Sequence, residues 1–266
     1  GLLCVTGILA THYSGSRALG LLIVLPLGYV LFFIQTDAGR PAAVLLPQLG
    51  ALYAAATVSK YLATDYYYAG GDILYHMEYT QRLVSQGSMV AIPRYDSFPG
   101  LHLLTGTVSA LGGVPTYDAL FLTGIITYGL LIVVTYLLIR TISQERRIAL
   151  FSAVGIIVLE PFLYYATYFF PQSLAVMFAM LILYVGYRVN RSTRIRARLS
   201  SIGIGLGTAL AITHHFTVVL YIPILFCLFT ARWITNWALI GRNYGLVGAP
   251  GITDSSETTV LGSARP

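Results

Sequence analysis

This sequence is short of charge. Of 266 residues only 10% are Asp, Glu, Lys or Arg, against 56% hydrophobic, and mean hydropathy is +0.74. An ordinary soluble domain is about 25% charged. A chain this poor in charge cannot clothe a water-facing surface, which excludes a cytosolic enzyme, a disordered tail and a nucleic-acid module. Lysine is nearly absent, Lys60 being the single one among 16 basic residues. Cysteine is scarce as well: Cys4 and Cys227 both lie in apolar runs, which argues against a disulfide framework. Gly1 sits in an apolar stretch without an initiating Met or a signal-peptide pattern, so a fragment of a longer membrane protein is expected.

What is present is a series of long apolar runs. A helix needs roughly 20 apolar residues to cross roughly 30 Å of hydrocarbon. Gly1–Ala10 reads as the end of a helix. Ala18–Ile34, Ala42–Leu62 and Tyr117–Ile139 read as spans. Ile148–Leu163 and Gln172–Tyr187 form a pair around an aromatic turn, and Leu199–Thr213 and Val218–Thr230 form another around Thr213-His214-His215. Trp233–Val247 adds one more helix, across or along the membrane. The expected fold is all-α: a polytopic transmembrane bundle of about eight spans over residues 1–249, with a large outer loop, 64–117, containing interfacial helices. Residues 250–266 read as a polar tail, the start of a further region.

The few charges are sorted by side. Arg140, Arg146 and Arg147 fill one loop, and Arg188, Arg191, Arg194, Arg196 and Arg198 another. The positive-inside rule puts loops 140–147 and 188–198 in the cytoplasm, with Arg40 and Arg232, and the chain in the cell membrane. The segment 64–117 then lies outside, provided that Phe98–Gly113 does not cross. Asp65, Asp72, Glu78, Asp96, Asp118, Glu160 and the histidines His12, His76, His102, His214 and His215 fall on or near that outer face. Structural loops do not need acids and histidines gathered on one side; a site there would gather them.

Within the outer loop, Gly70-Gly71-Asp72 begins a segment in which Asp72, His76 and Tyr79 are spaced i, i+4, i+7, one face of a helix, with Glu78 to the side. The plain alternative is that Asp72 caps a surface helix and His76 is solvated. Farther on, Phe98-Pro99-Gly100-Leu101-His102 suggests a helix starting near Pro99 and lying at the interface. The histidines at 214 and 215 have their own plain reading as interfacial anchors, and Glu160-Pro161 as the place where a span meets the surface. Gly203-x-Gly205-x-Gly207 lies in a span with no strand before it, so it is helix packing and not a dinucleotide loop. Asn190-Arg191-Ser192 matches a glycosylation sequon on the cytoplasmic side, no His-Glu-x-x-His occurs, and Gly71-Asp72 lies in a loop, unlike an intramembrane aspartyl protease.

Taken in order, an outer-loop Asp after a span, then His and Tyr, then the Phe98–His102 run resembles the first large loop of GT-C superfamily glycosyltransferases. These polytopic enzymes use polyprenyl-phosphate-linked sugars and include protein O-mannosyltransferases, the aminoarabinose transferase of lipid A and Rgt-type enzymes. Many carry Pro-Pro-x-x-(Tyr/His) where this chain has Phe98-Pro99-Gly100-Leu101-His102. Tyr117–Arg140 is similar to the second family span. The pair around Tyr164–Phe170 is similar to the third and fourth, and Gly205–Phe216 to the Gly-rich span ending in a Thr-His element. The likeness covers roughly 42–230, the N-terminal half of such an enzyme. The chain departs from it where relatives carry an acid between spans three and four: here that place reads Phe170-Pro171-Gln172-Ser173, with Glu160 a few residues earlier. Asp72 is also single where many relatives have two acids.

The resemblance implies sugar transfer from a lipid-linked donor to an acceptor on the extracytoplasmic face. Asp72 would then be the general base. The departing phosphate would be met by His214 and His215, or by Arg82 and Arg94. His76 and His102 would bind donor or acceptor, or join Asp72 and Glu78 at a divalent cation, Mg or Mn; Glu160 stands in for the missing acid. No metal ligand is assigned, and neither a cofactor nor an oligomeric state can be named from sequence. The partners expected are the donor and membrane lipids, and no nucleic acid. Other readings are a multi-pass transporter or flippase, which would place polar groups on broken helices near mid-membrane, and a polysaccharide polymerase or ligase, which would use outer arginines.

Overall fold

The computed structural model describes residues 8–9, 17–64, 71–92, 94–159, 169–191 and 195–243. Every element among them is helical. In chain order these are α1 (Arg17–Asp37), α2 (Ala42–Thr64), α3 (Gly71–Gln86), a short 3-10 turn (Met89–Ala91), α4 (Gly100–Gly112), α5 (Thr116–Ser143), α6 (Arg146–Val158), α7 (Pro171–Arg191), α8 (Arg196–Thr213) and α9 (His215–Asn243). The chain divides into two compact units, 1–219 and 220–266. The described part of the second is the remainder of α9, whose Ile222, Ile224, Phe226 and Trp233 side chains are exposed.

The helix α5 organises the first unit. Its 28 residues extend about 42 Å at 1.5 Å per residue. It starts after Pro115, carries Asp118 in its first turn and Arg140 in its last, and so matches the helix dipole at both ends. Gln144, left-handed at φ 60°, ends it by returning its N–H to the Arg140 carbonyl. Leu120, Leu131 and Ile132 are buried in the core with Leu45 and Leu49 of α2, Leu150 and Ala153 of α6 and Leu174 of α7. On the outside, Ile126, Leu130, Phe151 and Ile204 are exposed. Apolar groups on both faces suit a helix whose solvent is hydrocarbon. Threonines in these helices return their hydroxyls to the carbonyl four residues back, as Thr57, Thr123 and Thr135 do.

Three helices are long and apolar enough to cross a membrane among the described residues: the Ala42–Ser59 stretch of α2, α5, and Pro171–Val189 of α7. Shorter apolar stretches cover Val24–Asp37 and His215–Leu228. The described residues bear out an all-helical membrane chain and do not confirm the eight or so crossings expected. The described part of α6 is 13 residues long, about 20 Å, and α8 dilutes its apolar residues with glycine, serine and arginine. One correction concerns the last two predicted helices. Val218–Thr230 and the described part of Trp233–Val247, residues 233–243, belong to one uninterrupted helix, α9, while 244–247 lie outside the described residues. Arg232 interrupts the hydropathy, but Thr230-Ala231-Arg232 contains nothing that breaks a helical backbone.

The helix ends fall into two groups. The Arg146 guanidinium donates to the carbonyls of Arg40 and, at 3.0 Å, Thr36, and Arg147 pairs with Asp37 at 3.5 Å. The turns at 38–41 and 144–146 therefore share one end of the first unit. Chain direction carries the start of α5, the start of α7 and the junction of α8 with α9 to the other end, beside α3 and α4.

Candidate functional site

That other end holds a cleft of about 230 Å³. The helix α3 supplies Asp72, Tyr75, His76 and Tyr79, the loop before α4 supplies Arg94 and Tyr95, the start of α7 supplies Phe170, Pro171 and Gln172, and the α8–α9 junction supplies His214.

Local sequence explains how α3 presents them. It begins at Gly71, so Asp72 lies in its first turn. Ile73, His76, Thr80 and Leu83 recur at helical spacing and are buried. Against them α4 packs Leu101, His102, Thr105 and Gly106, and a Cβ at Gly106 would stand 3.2 Å from Val84, so glycine permits the close crossing. Gly113, at φ 61°, ends α4 in the left-handed region.

The close crossing brings two imidazoles together. His76 Nδ1 lies 3.1 Å from His102 Nε2. The rings are 4% and 0% exposed, so the plain expectation of a solvated His76 does not hold. Tyr95 closes over the pair, its ring 4.9 Å from His76 and 5.0 Å from His102, and Phe170 lies 5.8 Å from His76. Burial lowers His76 to about 4, the Asp72 carboxylate raising it against burial and His214 pushing it down further. Burial and the neighbouring His76 lower His102 to about 3. Both shifts favour the neutral imidazole. Burial also raises the Tyr95 phenol, with Arg94 opposing.

His214 caps α8 and opens α9. Its Nδ1 accepts the Thr217 N–H at 3.3 Å and lies 2.7 Å from the Thr217 hydroxyl. Burial and His215 lower its pKa. His215 does not line the cleft; its ring packs 4.6 Å from that of Phe98. Behind them Gly100 abuts Thr213, where a Cβ would fall 2.9 Å from the Thr213 Cα.

Of the residues singled out from sequence, Asp72, His76, Arg94 and His214 converge on the cleft, and His102 stands directly behind His76. Glu78 and Arg82 do not line it: they form an i,i+4 ion pair, each about half exposed. Glu160, Asp65 and His12 lie outside the described residues. The sequence assigns no role to Tyr75 or Tyr95 and marks Phe170 and Gln172 only as part of a turn that lacks an acid; all four line the cleft. The signal for Tyr75 and Tyr79 was the helical face shared with Asp72 and His76.

Among the described residues Asp72 is the one carboxylate lining the cleft, and no three His, Cys, Asp or Glu side chains gather at ligand spacing. A guanidinium and tyrosine rings can meet a sugar phosphate, and a carboxylate beside them can accept a proton.

A family model described as dolichyl-phosphate-mannose-protein mannosyltransferase matches residues 96–248. No curated protein and no solved structure gives a match. The matched segment carries Tyr95's neighbour Asp96, the Phe98–His102 run and both histidines of the α8–α9 junction. It takes in more than half of the 266 residues, and the chain belongs to this mannosyltransferase family, membrane glycosyltransferases of the GT-C type that use a polyprenyl-phosphate-linked sugar.

Proposed function

We propose that this chain transfers a hexose, mannose being the first to try from the family's name, from polyprenyl phosphate to an acceptor hydroxyl on the extracytoplasmic face. The observation that carries this reading is the meeting of Asp72 with Arg94, His76 and His214 in one cleft, at the end of the first unit away from the Arg146 and Arg147 turn. The positive-inside rule supports the sidedness.

In the step proposed, the acceptor oxygen attacks the anomeric carbon. A new C–O bond forms there, and the bond from that carbon to the phosphate oxygen breaks. The electron pair leaves on the phosphate, and the acceptor's proton passes to the Asp72 carboxylate. Arg94 meets the phosphate charge through its planar fork. Tyr75 and Tyr79 offer faces and hydroxyls to the sugar. No step is routed through a metal.

Asp72→Asn tests the reading. It keeps the shape and removes the base, so sugar transfer from a polyprenyl-phosphate donor falls by about 10²–10⁴-fold while the protein still accumulates in membranes. Full transfer in that variant would remove Asp72 from the mechanism. Running the same assay with EDTA, then with added Mg or Mn, tests the cation; unchanged rates are expected.

A further inference from the structure

We infer that His76 and His214 are neutral hydrogen-bond donors, each holding its proton on Nε2 toward the leaving phosphate, and that His102 and Thr217 are positioning residues that set those tautomers. This rests on the reading of the cleft as the sugar-phosphate site.

The argument begins with what each Nδ1 is doing. At His214, Nδ1 receives the Thr217 backbone N–H at 3.3 Å. An atom that accepts an N–H carries a lone pair, so the proton of the neutral ring sits on Nε2. At His76 the partner is another imidazole, and two arrangements satisfy the 3.1 Å contact. If His76 Nδ1 donated, His102 would carry its second proton on Nδ1. That atom is buried without a partner, and an orphaned buried N–H is the costly kind. It would also leave His76, which lines a cleft that contains the Asp72 carboxylate, with a bare lone pair on Nε2 and no proton to offer there. If His102 Nε2–H donates instead, only a lone pair is left unpaired in the interior, and His76 presents Nε2–H. The second arrangement wins on both counts.

The groups facing His76 agree with it. Asp72 on its own helix favours a proton on the cleft side. Tyr95 from the loop presents a ring, His102 from α4 presents the donor, and His214 from the α8–α9 junction is a like group whose charge is disfavoured. The result is a pair of donors that do not change charge near neutral pH. A preorganised donor aimed at developing charge stabilises the transition state without reorganising. Phosphate oxygen gains that charge as the sugar departs.

The test uses the full chain in nanodiscs with ¹⁵N-labelled histidine, resonances being assigned through His76→Gln and His214→Gln. At pH 7 both rings are expected as neutral Nε2–H imidazoles, and adding a polyprenyl monophosphate shifts both Nε2–H signals. His102→Phe keeps a ring but removes the donor. It is expected to mix the His76 tautomers and to weaken polyprenyl monophosphate binding about tenfold, the loss of one good hydrogen bond to a charged group. His102→Gln, which retains an N–H donor, holds binding within about threefold. Thr217→Val removes the hydroxyl 2.7 Å from His214 Nδ1 but keeps the backbone N–H, so it shifts the His214 signal, leaves its Nε2–H tautomer in place and does not touch the His76 signal. A His76 protonated on Nδ1, an imidazolium at pH 7, or a His102→Phe variant with unchanged tautomer and affinity would overturn the assignment. Retained transfer in Asp72→Asn alongside the expected tautomers would instead defeat the base mechanism and leave the donor pair standing.

Discussion

Gly100, the first residue of α4, lies against Thr213, the last residue of α8. The contact joins the outer-loop helix carrying His102 to the junction carrying His214, so one glycine links the two halves of the cleft. Thr213 is 1% exposed and returns its hydroxyl to Ala209 at 2.6 Å, so it has no freedom to give way.

Gly100→Val therefore forces the two helices apart. Overpacking of this kind costs about 1–3 kcal/mol. Thermal unfolding of the detergent-solubilised protein is expected to shift downward, and transfer to fall even where the protein remains folded. An unchanged melting temperature would show that the helices are not in contact at this point.

Sidedness is measured by cysteine accessibility. In a background with Cys4 and Cys227 replaced by Ser, Ser97→Cys is expected to label with a membrane-impermeant maleimide in intact cells, and Ser192→Cys only after lysis. The reverse pattern would invert the topology.

Acid should loosen the region around the His76–His102 pair. Both folded pKa values, about 4 and about 3, lie below the ordinary histidine value of 6.5. Between those limits the unfolded chain binds more protons than the folded one, so stability is full above pH 6.5 and declines as pH falls toward 4. Melting temperature followed over pH 7.5 to 4.5 should drop, and His102→Gln should flatten the drop by removing one of the titrating rings. A melting temperature independent of pH would mean that the pair is solvated.

Arg94 and Arg82 separate cleanly. Arg94→Ala is expected to raise the KM for the lipid-linked donor about tenfold or more, as loss of a charge-assisted phosphate contact does. Arg82→Ala and Glu78→Ala should leave transfer within about twofold, because their exposed ion pair lies off the cleft and such pairs are worth only about 0.2–1 kcal/mol. Steady-state kinetics on the three variants decides this.

Much of the fold was legible because hydropathy and helical spacing are local. The length of α5 follows from an apolar run bounded by Pro115 and a polar turn. The face shared by Asp72, His76 and Tyr79 follows from the i, i+4, i+7 spacing, which the cleft preserves. Where reading failed, a local signal was mistaken for a structural one. Arg232 suggested a break in a helix whose backbone runs on. Glu78, one position off the face of Tyr79, turns to Arg82.

By itself, then, the sequence determined a membrane-embedded, all-helical chain and the run of residues that resembles its family. Tertiary structure decided which histidines meet. His76 and His102 are 26 positions apart, and no periodicity relates them. They touch because Gly106 lets α3 and α4 cross closely, and Gly100 against Thr213 brings His214 to the same end. Side-chain burial, and with it the neutral state of both rings, is a property of that packing alone.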